Sequence, residues 1–408
     1  MRRSIELIIK HGIILSIVFS LTIIAQDWQL QNSNTTNQLK DIHMISQTIG
    51  WACGDAGTLL YTDNAGQSWN NVVITGADLH QLVFKNELTG VVVGDNGSVF
   101  VTTNGGLNWN AKNSNTSAQL RSVVHAGGSV FYSAGRDGAV IKSTDDGNTW
   151  TSLTSGTTER LLCISAIGNY IWIGGRDGVL IYSVNGGSTF TPMASPATDD
   201  IKDIQFVNTS TGFAAGSNSL FMYTNDGGVN WSLRTSGILG GLNGLFFVDL
   251  QKGWTVGGNG TIYSTTNAGL TWTSLQSGTN EDLNSIHSFD SENSWAVGNS
   301  GIITTNYTSA TSVERINTSP PNSFIVEQNY PNPFNPSTKI RFGISEETNI
   351  LLEIYNITGQ KIAELLNEPL SPGFYDVNFN ASGLSSGIYI YTLKGSDFSV
   401  TRKMTLLR

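Results

Sequence analysis

Two cysteines in 408 residues, Cys53 and Cys163, stand far apart in the chain and form no CxxC pair, which excludes both a zinc-finger arrangement and a disulfide framework. Charge is scarce as well. Only 13% of residues are Asp, Glu, Lys or Arg, about half the usual share for a soluble protein. That shortage disfavours coiled coils and charged disordered chains. Cations are the rarer sign, 22 Lys and Arg against 31 Asp and Glu for a net charge of −9, so a nucleic-acid backbone is not the expected partner. No apolar run beyond Ala25 is long enough to cross a bilayer, so no membrane span is expected once a leader is removed. What the chain has in abundance is glycine, 45 residues, and this favours an all-β, turn-rich build.

Residues 1–25 read as a secretory signal: Arg2, Arg3 and Lys10, then the apolar run Ile13 to Ile24, then Ala25 as a small residue for cleavage. The rest is expected to work outside the cytoplasm, extracellular or on the outer cell surface. At the other end, residues 308–322 are rich in Ser, Thr and Asn and finish in Pro320-Pro321, the composition of a linker. Beyond it, alternating apolar runs at 339–344, 350–357, 374–379, 387–393 and 398–407 predict a small β-sandwich over 323–408.

Between the ends a turn of the form G-x-x-G recurs at Gly54, Gly94, Gly135, Gly175, Gly216, Gly257 and Gly298, the copy at Gly216, GSNS, being degenerate. The spacing is nearly constant from one turn to the next. Downstream of the first six comes a hydroxyl–x–Asx–x–Gly turn ending in Trp69, Trp109, Trp150, Phe190, Trp231 or Trp272. A period of about 40 residues with several short strands per unit predicts a seven-bladed β-propeller over 26–307. The column Trp51, Val91, Tyr132, Trp172, Phe213, Trp254 and Trp295 is expected to fill the spaces between blades. The seventh unit lacks an outer strand. The orphan Asp27-Trp28-Gln29-Leu30, one repeat length before Trp69, is expected to supply it and close the ring.

Two family resemblances rest on these motifs. NYPNPFNPST (Asn329–Thr338), then LLEIYNITGQKIAELL, SGIYIYTLKG and a terminal KMTLLR closely resemble the type A C-terminal sorting domain of type IX secretion substrates. The resemblance implies the type IX machinery as a partner and an immunoglobulin-like sandwich. The six turns such as STDDGNTW (Ser143–Trp150) match the pattern known as the Asp box, and with strands such as SWAVG they resemble the photosystem II stability/assembly-factor family and the wider bacterial neuraminidase repeat group. That second resemblance implies the propeller fold; fold alone assigns no activity.

Candidate chemistry is thin. The histidines show no H-x-H or H-E-x-x-H spacing, so neither a metal nor a cofactor is called for. Asp41 and Asp203 share one inner-strand column in blades one and five, and their plain reading is a solvated strand start. A binding face stands out instead. Just after the apolar residue that opens each inner strand come Lys40, His80, Arg121, Leu162, Lys202, Asn243 and Asn284, with Arg160 two residues before Leu162. Arg136 and Arg176 fall on the G-x-x-G turns of the same face. The expectation is a non-catalytic binding or scaffold propeller whose basic mouth (Lys40, His80, Arg121, Arg136, Arg160, Arg176 and Lys202) takes an acidic protein or glycan ligand. The competing expectation for the arginines is pairing with neighbouring turns that carry Asp55 and Asp95. The rival class is a glycoside hydrolase or lyase with facing carboxylates in the central cleft.

Overall fold

The structure is a computed structural model that describes residues 28–234, 237–307, 314–317, 320–381 and 384–407. The signal segment 1–25 therefore lies outside the described residues. The chain is all-β. Seven four-stranded antiparallel sheets follow one another from residue 29 to 305. The first is built from Leu39–Met44, Gly50–Gly54, Leu59–Thr62 and Asn70–Asn71, and the order in the sheet follows the order in the chain. The other innermost strands are Leu79–Phe84, Leu120–Gly127, Leu161–Ile167, Ile201–Phe206, Leu242–Phe247 and Leu283–Ser288. Each packs against the next, and the seventh returns to the first, so the sheets form a closed ring around a central opening. The seventh sheet takes its outermost strand from the start of the described chain: Gln29, Leu30 and Gln31 pair with Thr305, Thr304 and Ile303. Trp28 is buried beside them, and no sheet of the ring lacks its fourth strand.

The second strand of each sheet is apolar or small and buried from its second residue on, because both its faces are covered there. Gly50–Gly54 (GWACG), Gly90–Gly94 (GVVVG) and Ser294–Gly298 (SWAVG) are buried at every position. The two aromatic columns of the repeat meet between sheets. Trp51 of the first sheet lies edge-on to Trp109 of the second at 5.6 Å. Trp172 stacks on Phe206 at 3.6 Å, and Phe206 meets Trp231 edge-on at 5.8 Å. Trp254 shares a core with Trp28, and Trp295 with Trp69. An aromatic at the turn of one sheet thus seals the interface with the preceding one, and truncating one of them should cost about 3–5 kcal/mol.

Six turns before those aromatics share one hydrogen-bond pattern. In the third sheet Ser143 Oγ donates to Asp145 Oδ1 (2.8 Å) and accepts from Gly147 N (2.9 Å), while Thr149 N donates to Asp145 Oδ1 (2.9 Å). Gly147 has φ +81°, where an L side chain would be strained. The indole of Trp150 closes the turn by donating to Gly147 O at 2.9 Å. The hydroxyl and Asx groups of each turn are satisfied within it, whereas the indole N–H groups of Trp109, Trp231 and Trp272 are buried without a partner among the described residues and that of Trp69 donates to Gln31.

The C-terminal part holds two further four-stranded sheets, one of Glu314–Asn317, Gly373–Asn380, Ser337–Ile344 and Ile325–Val326, the other of Lys361–Leu370, Thr348–Asn356, Gly387–Lys394 and Ser399–Leu406. Ile340, Phe342 and Val377 from one and Ile354, Tyr391, Leu393 and Met404 from the other make one core. Two expectations need correction here. Glu314–Asn317, inside the stretch read as a linker, is an edge strand paired with residues of Gly373–Asn380. Lys361–Leu370 is also a strand, missed because its inward positions do not alternate cleanly with its exposed ones.

Candidate functional site

Each inner strand begins with the same irregularity. The pairing skips one residue, between Leu39 and Asp41 in the first sheet and between Leu283 and Ser285 in the seventh, and likewise in the five sheets between them. The skipped residue is a β-bulge, and a bulge re-aims its side chain. The seven bulged residues are Lys40, His80, Arg121, Leu162, Lys202, Asn243 and Asn284, the column singled out in the sequence. All seven line one cavity of about 520 Å³ at the mouth of the ring, together with Arg160 and Arg176. Arg136 does not line it. It sits exposed on the neighbouring turn, close enough for its charge to act on Arg121 and Arg160. A larger, shallower groove of about 920 Å³ along the third sheet gathers no charged side chain except Asp137.

In five of the seven sheets the side chain after the bulge ties neighbouring sheets together through a nitrogen- or hydroxyl-donated hydrogen bond; in the sixth that residue is Gly244. Asp41 Oδ2 accepts from Leu82 N (3.0 Å), Gln81 Oε1 from Val123 N (2.8 Å), Ser122 Oγ from Ile164 N (3.1 Å) and Asp203 Oδ2 from Leu245 N (2.8 Å). Ser285 Oγ donates to Asp41 Oδ1 at 2.7 Å and joins the last sheet to the first. Asp41 and Asp203 are therefore not solvated strand starts. They lie in the floor of the cavity. Burial pushes the Asp41 carboxyl up to about 7, with a further push from the charge of Asp203, and burial pushes Asp203 up to about 6.

The cations of the mouth divide into two groups. On the first two sheets they are neutralised. Lys40 Nζ pairs with Asp55 and, at 3.1 Å, with Asp78. His80 Nε2 lies 2.7 Å from Asp95 Oδ1. Burial, reinforced by Lys40 and Arg121, holds His80 down at about 4 despite Asp95, so near neutral pH it is an uncharged hydrogen-bond donor and not a cation. Burial pushes Asp95 up, but hydrogen bonds from Gln119 (2.6 Å) and His80 outweigh it and leave the carboxyl below its ordinary range. Asp55 and Asp95, the expected partners for arginine, are thus taken by Lys40 and His80.

On the third and fourth sheets the cations are not neutralised. Among the described residues the side chains of Arg121, Arg136 and Arg176 have no ion pair and no hydrogen bond, and Arg160 donates only to the neutral Gln119 Oε1 at 2.9 Å. Burial lowers Arg121, helped by the charges of Arg136 and Arg176 and opposed by that of Asp95. Burial also brings Arg160 down to about 10, with Arg121, Arg136 and Arg176 adding to the effect and the charge of Asp200, whose carboxylate lines the same cavity, opposing it. Guanidiniums that repel one another beside a polar cavity form a site that an anion would relieve. Lys202 of the fifth sheet donates to Asn243 Oδ1 at 2.8 Å.

Comparisons with known proteins agree with the two-part organisation. Residues 328–406 match the model of a secretion system C-terminal sorting domain, which implies sorting by the type IX machinery. Residues 73–158 match the model of the photosynthesis system II assembly factor YCF48. Among solved structures, YCF48 bound to D1 peptide is 18% identical with a TM-score of 0.59, covering 69% of this chain and 97% of that one. YCF48 from Cyanidioschyzon merolae is 20% identical at 0.58, covering 68% and 98%. The WD40 β-propeller domain of Doa1 is 10% identical at 0.58, covering 68% and 96%. At these identities the likeness shows a propeller-like fold and nothing more. No curated protein matches the chain.

Proposed function

We propose that the chain is an exported, non-catalytic binding protein: a signal over 1–25, a seven-bladed Asp-box β-propeller over 26–307 and an immunoglobulin-like sorting sandwich extending to 408. The type IX route delivers it to the outside of the cell or the outer surface. The propeller holds an anionic partner at the arginines of its third and fourth blades. One observation carries this reading: Lys40 of blade one is paired with two carboxylates and His80 of blade two is held uncharged by burial, whereas Arg121, Arg136 and Arg176 have no ion pair among the described residues. Cations left unpaired beside a concave polar surface are free for a ligand, and the guanidinium fork suits carboxylates. The reading is supported by a propeller of similar fold, YCF48, being described as bound to a D1 peptide.

The test is retention of the mature chain on a carboxylate-bearing resin at low salt. A protein this acidic overall should be held there only through a local cationic site. The Arg121→Ser/Arg136→Ser/Arg176→Ser variant should pass through unretained. Equal retention of a folded variant would contradict the proposal.

A second reading, a glycoside hydrolase or lyase in the cleft, draws support from Asp41 and Asp203, two carboxyls with raised pKa in one cavity. Against it, each of their four oxygens accepts a hydrogen bond within the ring: from Ser285 and Leu82 N on Asp41, and from Ile204 N and Leu245 N on Asp203. Turnover of chromogenic glycosides, abolished by Asp41→Asn and retained in the triple arginine variant, would favour the enzyme.

A further inference from the structure

The cavity is chemically lopsided around the ring. The third and fourth sheets contribute Arg121, Arg160 and Arg176. Directly opposite in a ring of seven lies the seventh sheet, flanked by the sixth and the first. There the bulged positions of the sixth and seventh sheets carry amides, Asn243 and Asn284, that of the first carries Lys40, already paired with Asp55 and Asp78, and the next positions carry Ser285 and Asp41. Asn284 Nδ2 is used by Leu39 O (2.7 Å) and Asn299 Oδ1 (3.2 Å), while Asn284 Oδ1 accepts from no described residue. Among the described residues no cation of the sixth or seventh sheet reaches the cavity, and few apolar side chains do, among them Leu162 and Cys163.

A ligand spanning this space needs one anionic group at the arginine wall and neutral hydrogen-bonding groups at the amide wall. A second anionic group would meet the floor carboxyls Asp41 and Asp203. A chain of acidic residues therefore fits poorly. An apolar side chain would bury Asn284 Oδ1 without a partner, the other polar groups of that wall being held within the ring: Asn243 by Lys202 and Leu283 O, and Ser285 by Asp41. A polyol carrying a single carboxylate satisfies both walls, and the volume falls within the range of about 300–1,000 Å³ usual for small-molecule sites.

We infer that the mouth of the ring binds a sugar acid with one carboxylate, a uronic acid either free or at the end of a glycan, with its carboxylate on Arg121, Arg160 and Arg176 and a hydroxyl donating to Asn284 Oδ1. The inference rests on the proposal that these arginines form an anion site, and it names the ligand class for that site.

The experiment is calorimetric titration of the mature full-length chain with four probes: D-glucuronate, D-glucose, a disaccharide of glucose capped by glucuronate, and hexaglutamate. Glucuronate should bind roughly tenfold or more tightly than glucose, since losing a charged hydrogen-bonding group has about that effect. Hexaglutamate should bind no better than glucuronate. A tighter capped disaccharide assigns the site to a glycan end; equal affinity assigns it to the free acid. Arg176→Gln, on an exposed turn, should weaken glucuronate without changing the melting temperature. Asn284→Leu should weaken glucuronate while leaving simple carboxylates such as acetate unaffected. Hexaglutamate binding without glucuronate binding would overturn the sugar-acid inference and leave the anion site standing. Failure of every probe to bind would overturn both.

Discussion

The first two sheets and the third and fourth share one backbone device, a bulge that turns a side chain into the central opening, yet they give opposite electrostatic results. Lys40 is gripped by two carboxylates and His80 has been made neutral. Arg121, two sheets along, faces other guanidiniums. The difference arises at the G-x-x-G turns. Asp55 and Asp95 occupy the second position of the turn in sheets one and two, and Arg136 and Arg176 occupy it in sheets three and four. A cationic column therefore marks a binding surface only where the adjoining turn does not neutralise it.

The largest break in that contrast should come from removing the uncompensated side. Arg121→Ser/Arg160→Ser/Arg176→Ser should weaken any anionic ligand by roughly a hundredfold or more, given about 1.5–3 kcal/mol for each hydrogen bond to a charged group. Lys40→Met, measured in the same titration, should change affinity by less than about threefold, because its charge is already spent on Asp55 and Asp78. Equal losses from the two would erase the distinction.

A second contrast sets floor against rim and is read through pH. Asp41 at about 7 and Asp203 at about 6 both lie above the ordinary aspartate value of 3.8. Between those limits the folded chain keeps protons that the unfolded chain has released. The pair's contribution is therefore fully present below about pH 4 and is lost as pH rises to about 7. The rim carboxylates Asp78 and Asp95, both depressed, work in the other direction: their contribution is present above the ordinary value and lost as pH falls through their own. His43 and His80, each lowered to about 4 chiefly by burial, also favour the folded state more as pH rises towards 6.5. The floor is isolated by difference. Asp41→Asn/Asp203→Asn should gain stability over the parent chain between about pH 4 and 7, on the order of 1–3 kcal/mol in urea titrations. A difference that stays flat across that range would show that the floor carboxyls are ordinary.

Freeing the neutralised side should have a smaller effect. Asp55→Asn/Asp78→Asn releases Lys40 and should tighten anion binding about three- to tenfold, in a direction opposite to the arginine variants. The smallest effect leaves every charge in place. In the fifth sheet the turn has lost its second glycine, and Ser219 sits at φ +63° where the other turns hold glycine at +67° to +72°. Ser219→Gly should stabilise the ring by about 0.5–1 kcal/mol without altering binding. A loss of stability would mean that the Ser219 hydroxyl, which donates to Gly240 O, matters more than the backbone strain.

The ring is legible in the sequence because its period is enforced by packing. Glycine is required where a Cβ at Gly54 would lie 2.0 Å from Gln38 O, and an aromatic is required at each interface. Both leave a mark once in every repeat, and the same arithmetic places Trp28 and its strand. The column of candidate site residues is legible for the same reason, since a bulge recurs at one position of each repeat. The charge state of that column is not. Whether Lys40 or Arg121 is neutralised depends on turns and loops (Asp55, Asp78, Asp95, Gln119) whose approach to the bulge is set in three dimensions. The second role of Asp41 and Asp203 is hidden in the same way, because an aspartate after a bulge looks like a strand start until the neighbouring sheet presents its N–H groups. The strand Lys361–Leu370 is missed for a plainer reason: three exposed residues in a row, Asn367 to Pro369, break its alternation.

Anomalous diffraction from a crystal of the mature chain soaked in bromide tests the central claim most directly, because bromide reports where an anion settles without presuming a ligand. The account predicts a peak in the mouth against the Arg121, Arg160 and Arg176 guanidiniums and none beside Lys40. A peak beside Lys40, or an empty mouth with bromide bound elsewhere on the ring, would contradict it.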